Sequence, residues 1–217
     1  MILIPVKNLS GAKQRLASIL DQGTRTELAQ AMLQDVLECI ANCQSKPEVA
    51  VVTSDPFATQ LARRLSFEII ADHANAGETG AIEMATQVCV ARGADSTLVL
   101  PGDIPLIQSS ELATILEAAP ERGSVLVPAA DGRGTNAALR RPAGLFPLRF
   151  GNDSFKPHLA TAHATQQPCV ILSLSGIALD IDTLTDLKEL AAAPGDTRSQ
   201  KMVRQWDLSD LPLAANE

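Results

Sequence analysis

The chain is poor in the features that define several large functional classes. Of its 217 residues 46% are hydrophobic, enough for a sizeable core. Yet no stretch approaches the uninterrupted apolar run of a membrane helix. The opening MILIPVK is too short, and reaches its lysine too late, to read as a signal peptide. Cysteine is scarce: Cys39, Cys43, Cys89 and Cys169 form no C-x-x-C pair and no disulfide-like density. That pattern points to buried, inert thiols and a cytoplasmic location. Cys39 and Cys43 sit one helical turn apart, but no histidine clusters with them, so a zinc site has no support. Positive charge is also short, with 18 Lys and Arg against 25 Asp and Glu and a formal net charge of −7. This argues against broad nucleic-acid binding. An anionic ligand would have to be captured locally, by a metal, a few lysines or oriented backbone N–H groups.

What is present is a rhythm of strand and helix. MILIP reads as a strand, and TRTELAQAMLQDVLECIANC as a helix with apolar residues at Leu28, Met32, Leu33, Val36, Leu37 and Ile40. EVAVVTS is a continuous apolar run, as in a strand covered on both faces. PFATQLARRL, with proline near its start, is a helix. FEIIAD is a third strand, TGAIEMATQVCVARG a helix ending at glycine, and STLVLPGD a fourth strand. SSELATILEAA (helix) and GSVLVPA (strand) complete the alternation. Such a series implies an α/β fold, a mostly parallel central sheet flanked by helices on both faces. After Asp131 the rhythm breaks. GRGTNAALRRPAGLFPLRFGND is dense in Gly, Pro and Asn and suggests a β-hairpin insertion in the second half. DSFKPHLATAHA is expected to be a helix opening at Asp153 or Ser154, CVILSL and IALDID late strands, and TLTDLKELAAA a last helix capped by Thr183. One domain over residues 1–193 and a loosely packed C-terminal tail over 194–217 are the expected organisation.

In an open parallel sheet, ligands bind beyond the carboxyl ends of the strands. The residues there are Lys7, Ser54 and Asp55, Asp72, Asp103, and Asp131. Asp103 stands out, because Pro101-Gly102 on one side and Pro105 on the other stiffen the backbone around a single carboxylate. Late in the chain Asp180 and Asp182 are spaced i, i+2, which in an extended segment points both carboxylates to one face. Carboxylates aimed together repel unless a cation or a proton lies between them. Asp103 with Asp180 and Asp182 is therefore a candidate cage for Mg2+, which takes one or two carboxylates plus substrate phosphate. The alternative for each is a turn-former or helix cap. The loop KNLSGAKQRLA places Lys7, Lys13 and Arg15 around Gly11, a set suited to a triphosphate, yet it fits neither G-x-x-x-x-G-K-S/T nor G-x-G-x-x-G. The three histidines, His73, His158 and His163, form no catalytic arrangement and read as surface or capping residues.

In this order PVKNLSGAKQRL, VVTSDP, LPGDIPL, GRGTNAAL, FGNDSFKPH and LDIDTLTDL span nearly the whole chain. Together they resemble the CofC/FbiD guanylyltransferases of deazaflavin coenzyme F-420 biosynthesis. The resemblance implies a Rossmann-like nucleotidyltransferase fold. It also implies GMP transfer from GTP to a phosphorylated three-carbon acid, with release of pyrophosphate and dependence on Mg2+. Phosphoenolpyruvate, 2-phospho-L-lactate and 3-phospho-D-glycerate all remain open as acceptors. On this chain it implies that Lys7, Lys13 and Arg15 face the triphosphate and that Asp103, Asp180 and Asp182 hold the metal. Thr135, Gly151 and Ser154 match the acceptor-binding positions. A homodimer, and delivery of the product to the next enzyme of the pathway, are further expectations. There is one departure. Relatives usually carry a G-L-N-A-A-like stretch where this chain reads AGETGAIEMA (Ala76 to Ala85), with the Asn replaced near Thr79. That leaves the preference for GTP over other nucleotides open. The alternatives are a molybdopterin or sugar-phosphate nucleotidyltransferase, which lacks FGNDSF, and a non-catalytic nucleotide-binding module, which would be expected to lose a metal carboxylate.

Overall fold

Branched apolar runs set the strands. β1 (Ile2–Val6) and β2 (Val49–Thr53) are buried along nearly their whole length in the computed structural model, which describes residues 1–72, 77–151, 153–206 and 208. Side chains alternate between the faces: Ile2, Ile4 and Val6 enter one apolar cluster, Leu3 the other. With β3 (Glu68–Ile70), β4 (Thr97–Val99), β5 (Gly123–Pro128), β6 (Thr135–Arg141) and β7 (Cys169–Ile171), they form a seven-stranded sheet of order β3-β2-β1-β4-β6-β5-β7. β1 runs parallel to β2 and β4, β2 to β3, and β5 to β7. Among the described strands β6 alone is antiparallel, to β4 on one side and β5 on the other. The mostly parallel sheet is present, and so is an antiparallel element in the second half, but the stretch after Asp131 supplies one strand of it, β6, which pairs back onto β5 and β4 rather than forming a hairpin of its own.

Helices cover both faces. α1 (Gln22–Ala41), α2 (Pro56–Arg64) and α4 (Ser109–Glu117) pack on the face of Ile2 and Ile4. α3 (Gly77–Ala91) and α5 (Phe155–Ala164) pack on the face of Leu3. The ends obey local chemistry. Asp21 caps α1 through Thr24 N at 3.0 Å, Asp55 caps α2 with Pro56 in the first turn, and Gly93 at φ 79° follows α3.

Two expectations fail in the last third. IALDID is not a strand: Ser175–Ala178 is a short helix, α6, and residues 179–182 after it join no ladder of the sheet. The backbone groups a ladder would need are taken. Glu111 accepts Gly176 N at 2.7 Å, and the Asn136 amide donates to the carbonyls of Ile177 and Ala178, both at 3.0 Å. Nor is the chain loose from Pro194. α7 (Leu184–Ala192) is followed by α8 (Arg198–Val203), whose Ser199, Gln200 and Val203 are buried. Asp35 of α1 accepts Arg198 N, Ser199 N and Ser199 Oγ at 2.9, 2.9 and 2.7 Å, fastening the start of α8. Residues 209–217 lie outside the described set.

The chain leaves β1 toward β2 on one side, while β4 lies on the other. The loops after β1 and β4 therefore diverge and flank a crevice at the switch point of the sheet.

Candidate active site

The loop after β1 is shaped by two 3-10 turns, Leu9–Gly11 and Gln14–Leu16, with Lys13 between them at φ 55°, ψ 46°. That left-handed conformation is uncommon for a residue with a side chain and marks a constrained position. The loop is anchored from β2: Asp55, the α2 cap, also accepts Leu9 N at 3.0 Å. Lys13 points inward. Its Nζ donates to Asp103 Oδ2 at 2.6 Å and to Asp182 Oδ1 at 2.9 Å, and its side chain is only 6% exposed. Arg15 reaches the other oxygen of Asp182 at 3.2 Å. Burial works against the Lys13 ammonium, but the charges of Asp103 and Asp182 hold its pKa above the ordinary lysine value. Burial likewise opposes ionisation of Asp182, and Lys13 with Arg15 outweighs it, holding the carboxyl below the usual range.

Asp103 is fixed from both sides. A Cβ on Gly102 would meet Leu33 Cδ1 at 3.0 Å, so glycine lets the loop lie against α1. Asp103 O accepts Ile181 N at 3.2 Å, which ties the loop after β4 to the segment carrying Asp180 and Asp182. Of the two readings of Asp182, the cap belongs to its neighbour. Thr183 accepts Asp186 N at 3.3 Å while the Asp186 carboxylate accepts Thr183 N and Asp182 N. The Asp182 carboxylate is left to Lys13 and Arg15. Asp180 is held differently, accepting the Asn136 amide at 3.0 Å. Burial first, then the charges of Asp103 and Asp182, raises its pKa, against the pull of Asn136.

The other strand ends serve the backbone. Asp55 caps α2, and Asp131 closes the turn before β6 by accepting Arg133 N and Gly134 N at 2.7 and 3.2 Å. Ser54 donates to Asp72 O at 2.6 Å. Lys7 is exposed and its charge reaches Glu78.

On the far side of the carboxylates, Thr135 opens β6 and Ser154 sits at the start of α5. Ser154 occupies the N-cap position, yet its hydroxyl makes no cap bond and turns to Thr135 Oγ1 at 3.2 Å. Gly151 has φ 136°, a conformation L side chains rarely adopt, and nothing lies within 4 Å of where its Cβ would be. Its backbone is open to close approach.

Three neighbours went unread in the sequence. Glu78, in the departing stretch, stands in the first turn of α3; burial and the Asp103 charge raise its pKa while Lys7 opposes them. Asn136 adjoins Thr135. His158 was expected at the surface, but α5 turns that face inward and it is 1% exposed. Its spacing from Ser154, i and i+4 on one helix face, is the signal that could have found it. His163 is exposed, whereas His73, Ala76 and Asn152 lie outside the described residues. Thr79, at the departure, accepts Phe150 N at 3.0 Å, linking α3 to the Gly151 loop.

Two cavities meet here. One of about 1110 Å³ is lined by Thr135, Gly151, Ser154, Asp131 and Asp180, the other of about 640 Å³ by Lys7, Gly11 and Lys13. Arg15, Glu78, Pro101, Asp103 and Asp182 line both, so the carboxylate pair stands at the junction. Among the described residues no group of three His, Cys, Asp or Glu side chains is poised around a single metal position. What is assembled is narrower: two carboxylates around one cation, with Asp180 close enough to feel their charge. That donor set fits a hard divalent ion that keeps waters or phosphate oxygens as its remaining ligands.

An open, mostly parallel sheet carries a basic loop and paired carboxylates at its switch point, and the proteins this chain matches are nucleotidyltransferases. A solved structure from Desulfovibrio desulfuricans, assigned to the nucleotide-diphospho-sugar transferases, matches with a TM-score of 0.76 over 94% of this chain and 93% of that one; at 19% identity this likeness speaks for the fold alone. Sequence narrows the class. The family described as guanylyl transferase CofC like matches residues 1–214. The phosphoenolpyruvate guanylyltransferase of Sphaerobacter thermophilus is 35% identical over 87% of this chain and 91% of its own length. The 2-phospho-L-lactate guanylyltransferase of Methanothermobacter thermautotrophicus is 30% identical over 99% and 94%. The chain belongs to the CofC-like guanylyltransferase family.

Proposed function

We propose that the protein transfers GMP from GTP to the phosphate of a phosphorylated three-carbon acid, with release of pyrophosphate, in coenzyme F-420 biosynthesis. The observation that carries this reading is the junction: one carboxylate pair, already gripping a cation, between a lysine-bearing cavity and a hydroxyl-bearing one. The triphosphate enters the side of Lys7 and Lys13, and the acid enters the side of Thr135, Gly151 and Ser154. The names of the relatives supply phosphoenolpyruvate and 2-phospho-L-lactate as acceptors.

In the reaction an acceptor phosphate oxygen forms a bond to the α-phosphorus as the bond to pyrophosphate breaks. An ionised phosphate needs no general base, so the barrier is charge repulsion and positioning. Lys7, Lys13 and Arg15 bind and offset the negative charge of the triphosphate. Thr135, Ser154 and the open backbone of Gly151 orient the acid. Mg2+ held by Asp103 and Asp182, with Asp180 beside them, would supply further neutralisation of the phosphoryl oxygens and the leaving group. The product, a guanosine diphosphate ester of the acid, is the substrate that the next enzyme of the pathway consumes.

The test is direct. GTP is incubated with phosphoenolpyruvate, 2-phospho-L-lactate or 3-phospho-D-glycerate, and the adduct and pyrophosphate are followed by mass spectrometry. ATP and CTP serve as rival donors, since the stretch around Thr79 departs from the G-L-N-A-A-like pattern that the family resemblance implies. One acid giving a GMP adduct is the expected result; no adduct with any of the three refutes the reading.

A further inference from the structure

His158 is a buried titratable group that the transfer reaction does not use. Its two ring nitrogens have different partners. Nε2 lies 2.8 Å from Arg149 N, and a backbone N–H can only donate, so Nε2 carries no proton. The ring is neutral, because burial, reinforced by the charge of Arg140, brings its pKa down to about 4. The single ring proton therefore sits on Nδ1, which lies 2.9 Å from Thr135 Oγ1 and donates to it. Ser154 Oγ is 3.2 Å from the same Thr135 oxygen.

Counting hydrogens along this chain gives a definite polarity. The imidazole N–H, the Thr135 hydroxyl and the Ser154 hydroxyl are three donors, joined by two links. Whichever way the hydroxyls rotate, one hydrogen remains unspent by these links, on one of two residues that both line the cavity, where it is available to a ligand. With the proton on Nε2 instead, Thr135 would donate to Nδ1 and Ser154 to Thr135. Both hydroxyl hydrogens would be consumed, and the cavity would meet only lone pairs, which repel an anion.

We infer that His158 is a positioning residue that fixes the Thr135–Ser154 pair as a hydrogen-bond donor toward an anionic oxygen of the acid, carboxylate or phosphate. It acts through Thr135 rather than on the substrate. Naming the anion as the acid rests on the proposed function; the donor polarity of the pair does not.

The tautomer is read first, on the wild-type protein without ligand, by long-range 15N–1H NMR of the His158 ring. A proton on Nδ1 is the expected result, and a proton on Nε2 overturns the inference whether or not any variant folds. Affinities follow by calorimetry. His158→Phe keeps a ring against Phe150 but removes the donor, whereas His158→Asn places an amide N–H near the position of Nδ1. Phosphoenolpyruvate is the probe, with pyruvate and inorganic phosphate as carboxylate-only and phosphate-only arms. His158→Phe should weaken phosphoenolpyruvate about ten- to a hundredfold, the loss of one hydrogen bond to a charged group. His158→Asn should recover most of that loss, with GTP affinity unchanged in both. The weakened arm identifies which oxygen is held. No loss in any arm, or equal losses in the two variants, overturns the inference. Failure of the wild type to form a GMP adduct would instead sink the functional reading, and the tautomer and binding measurements would still decide this one.

Discussion

Lys13→Met removes the ammonium between Asp103 and Asp182 while keeping an unbranched stem. The lysine side chain is 6% exposed and the two carboxylates are 33% and 35% exposed. Breaking a fully buried pair costs about 3–5 kcal/mol. Solvent at these carboxylates screens part of the effect, so a loss of about 2 kcal/mol is expected. For a chain of 217 residues that lowers Tm by roughly 4–8 °C. The pH dependence has a definite sign. The pKa of Lys13 is raised, so its contribution is complete below the ordinary lysine value and fades only as pH rises through the folded value. Asp182 is depressed, so its contribution is complete above the ordinary aspartate value and fades as pH falls through the folded one. The gap in Tm between wild type and variant should therefore be wide at neutral pH and close in acid, below about pH 4. The bare carboxylate pair of the variant should also respond more to Mg2+. Ligand at a hundredfold its Kd adds about 2.7 kcal/mol, enough to offset the loss. GMP transfer should stay depressed in the rescued variant, because the lysine charge is still missing from the transition state. Differential scanning fluorimetry across pH and Mg2+ concentration reads all of this. A variant that melts with the wild type at pH 7, and gains no more from Mg2+, would refute the carboxylate pair as a cation site.

Asp103→Asn should keep the circular dichroism of the wild type and lose at least about a hundredfold in pyrophosphate release, since the amide preserves shape without charge. Ser154→Ala should weaken the acid by about ten- to a hundredfold in calorimetry with GTP binding unchanged; because its hydroxyl caps nothing, the drop of about 1 kcal/mol that follows loss of a helix cap should be absent. Asp35→Ala strips three hydrogen bonds from the start of α8 and should cost about 2–4 kcal/mol in urea unfolding, with a smaller loss pointing to a frayed α8. Glu78→Gln should stabilise the fold near pH 7 and not below about pH 4: a carboxyl whose pKa is raised in the folded state weakens that state only where the unfolded chain is ionised. A variant that melts below the wild type at pH 7 would contradict it.

Local chemistry made much of this fold legible. The covered strands β1 and β2, the Asp55-Pro56 start of α2, the glycine after α3 and the Thr183 cap are each decided within a few residues of chain, and each is found where those residues imply. Asp103 was readable for the same reason, because the flanking prolines and glycine are themselves local. What was not readable depends on partners far away in sequence. IALDID has the composition of a strand, and partners such as Glu111 and Asn136, 65 and 41 positions from their backbone targets, divert it. The polar stretch after Pro194 acquires a docked helix because Asp35 waits 164 positions upstream. Lys13 and Asp182, 169 positions apart, share a bond that no spacing rule contains. The candidate site combines both kinds of information. Rigid local turns set where each charged group stands, and the switch point of the sheet decides which groups meet. An i, i+2 pair of aspartates therefore divides its roles: Asp182 joins Asp103 around a cation, while Asp180 is drawn toward Asn136 by a strand that arrives from the opposite direction.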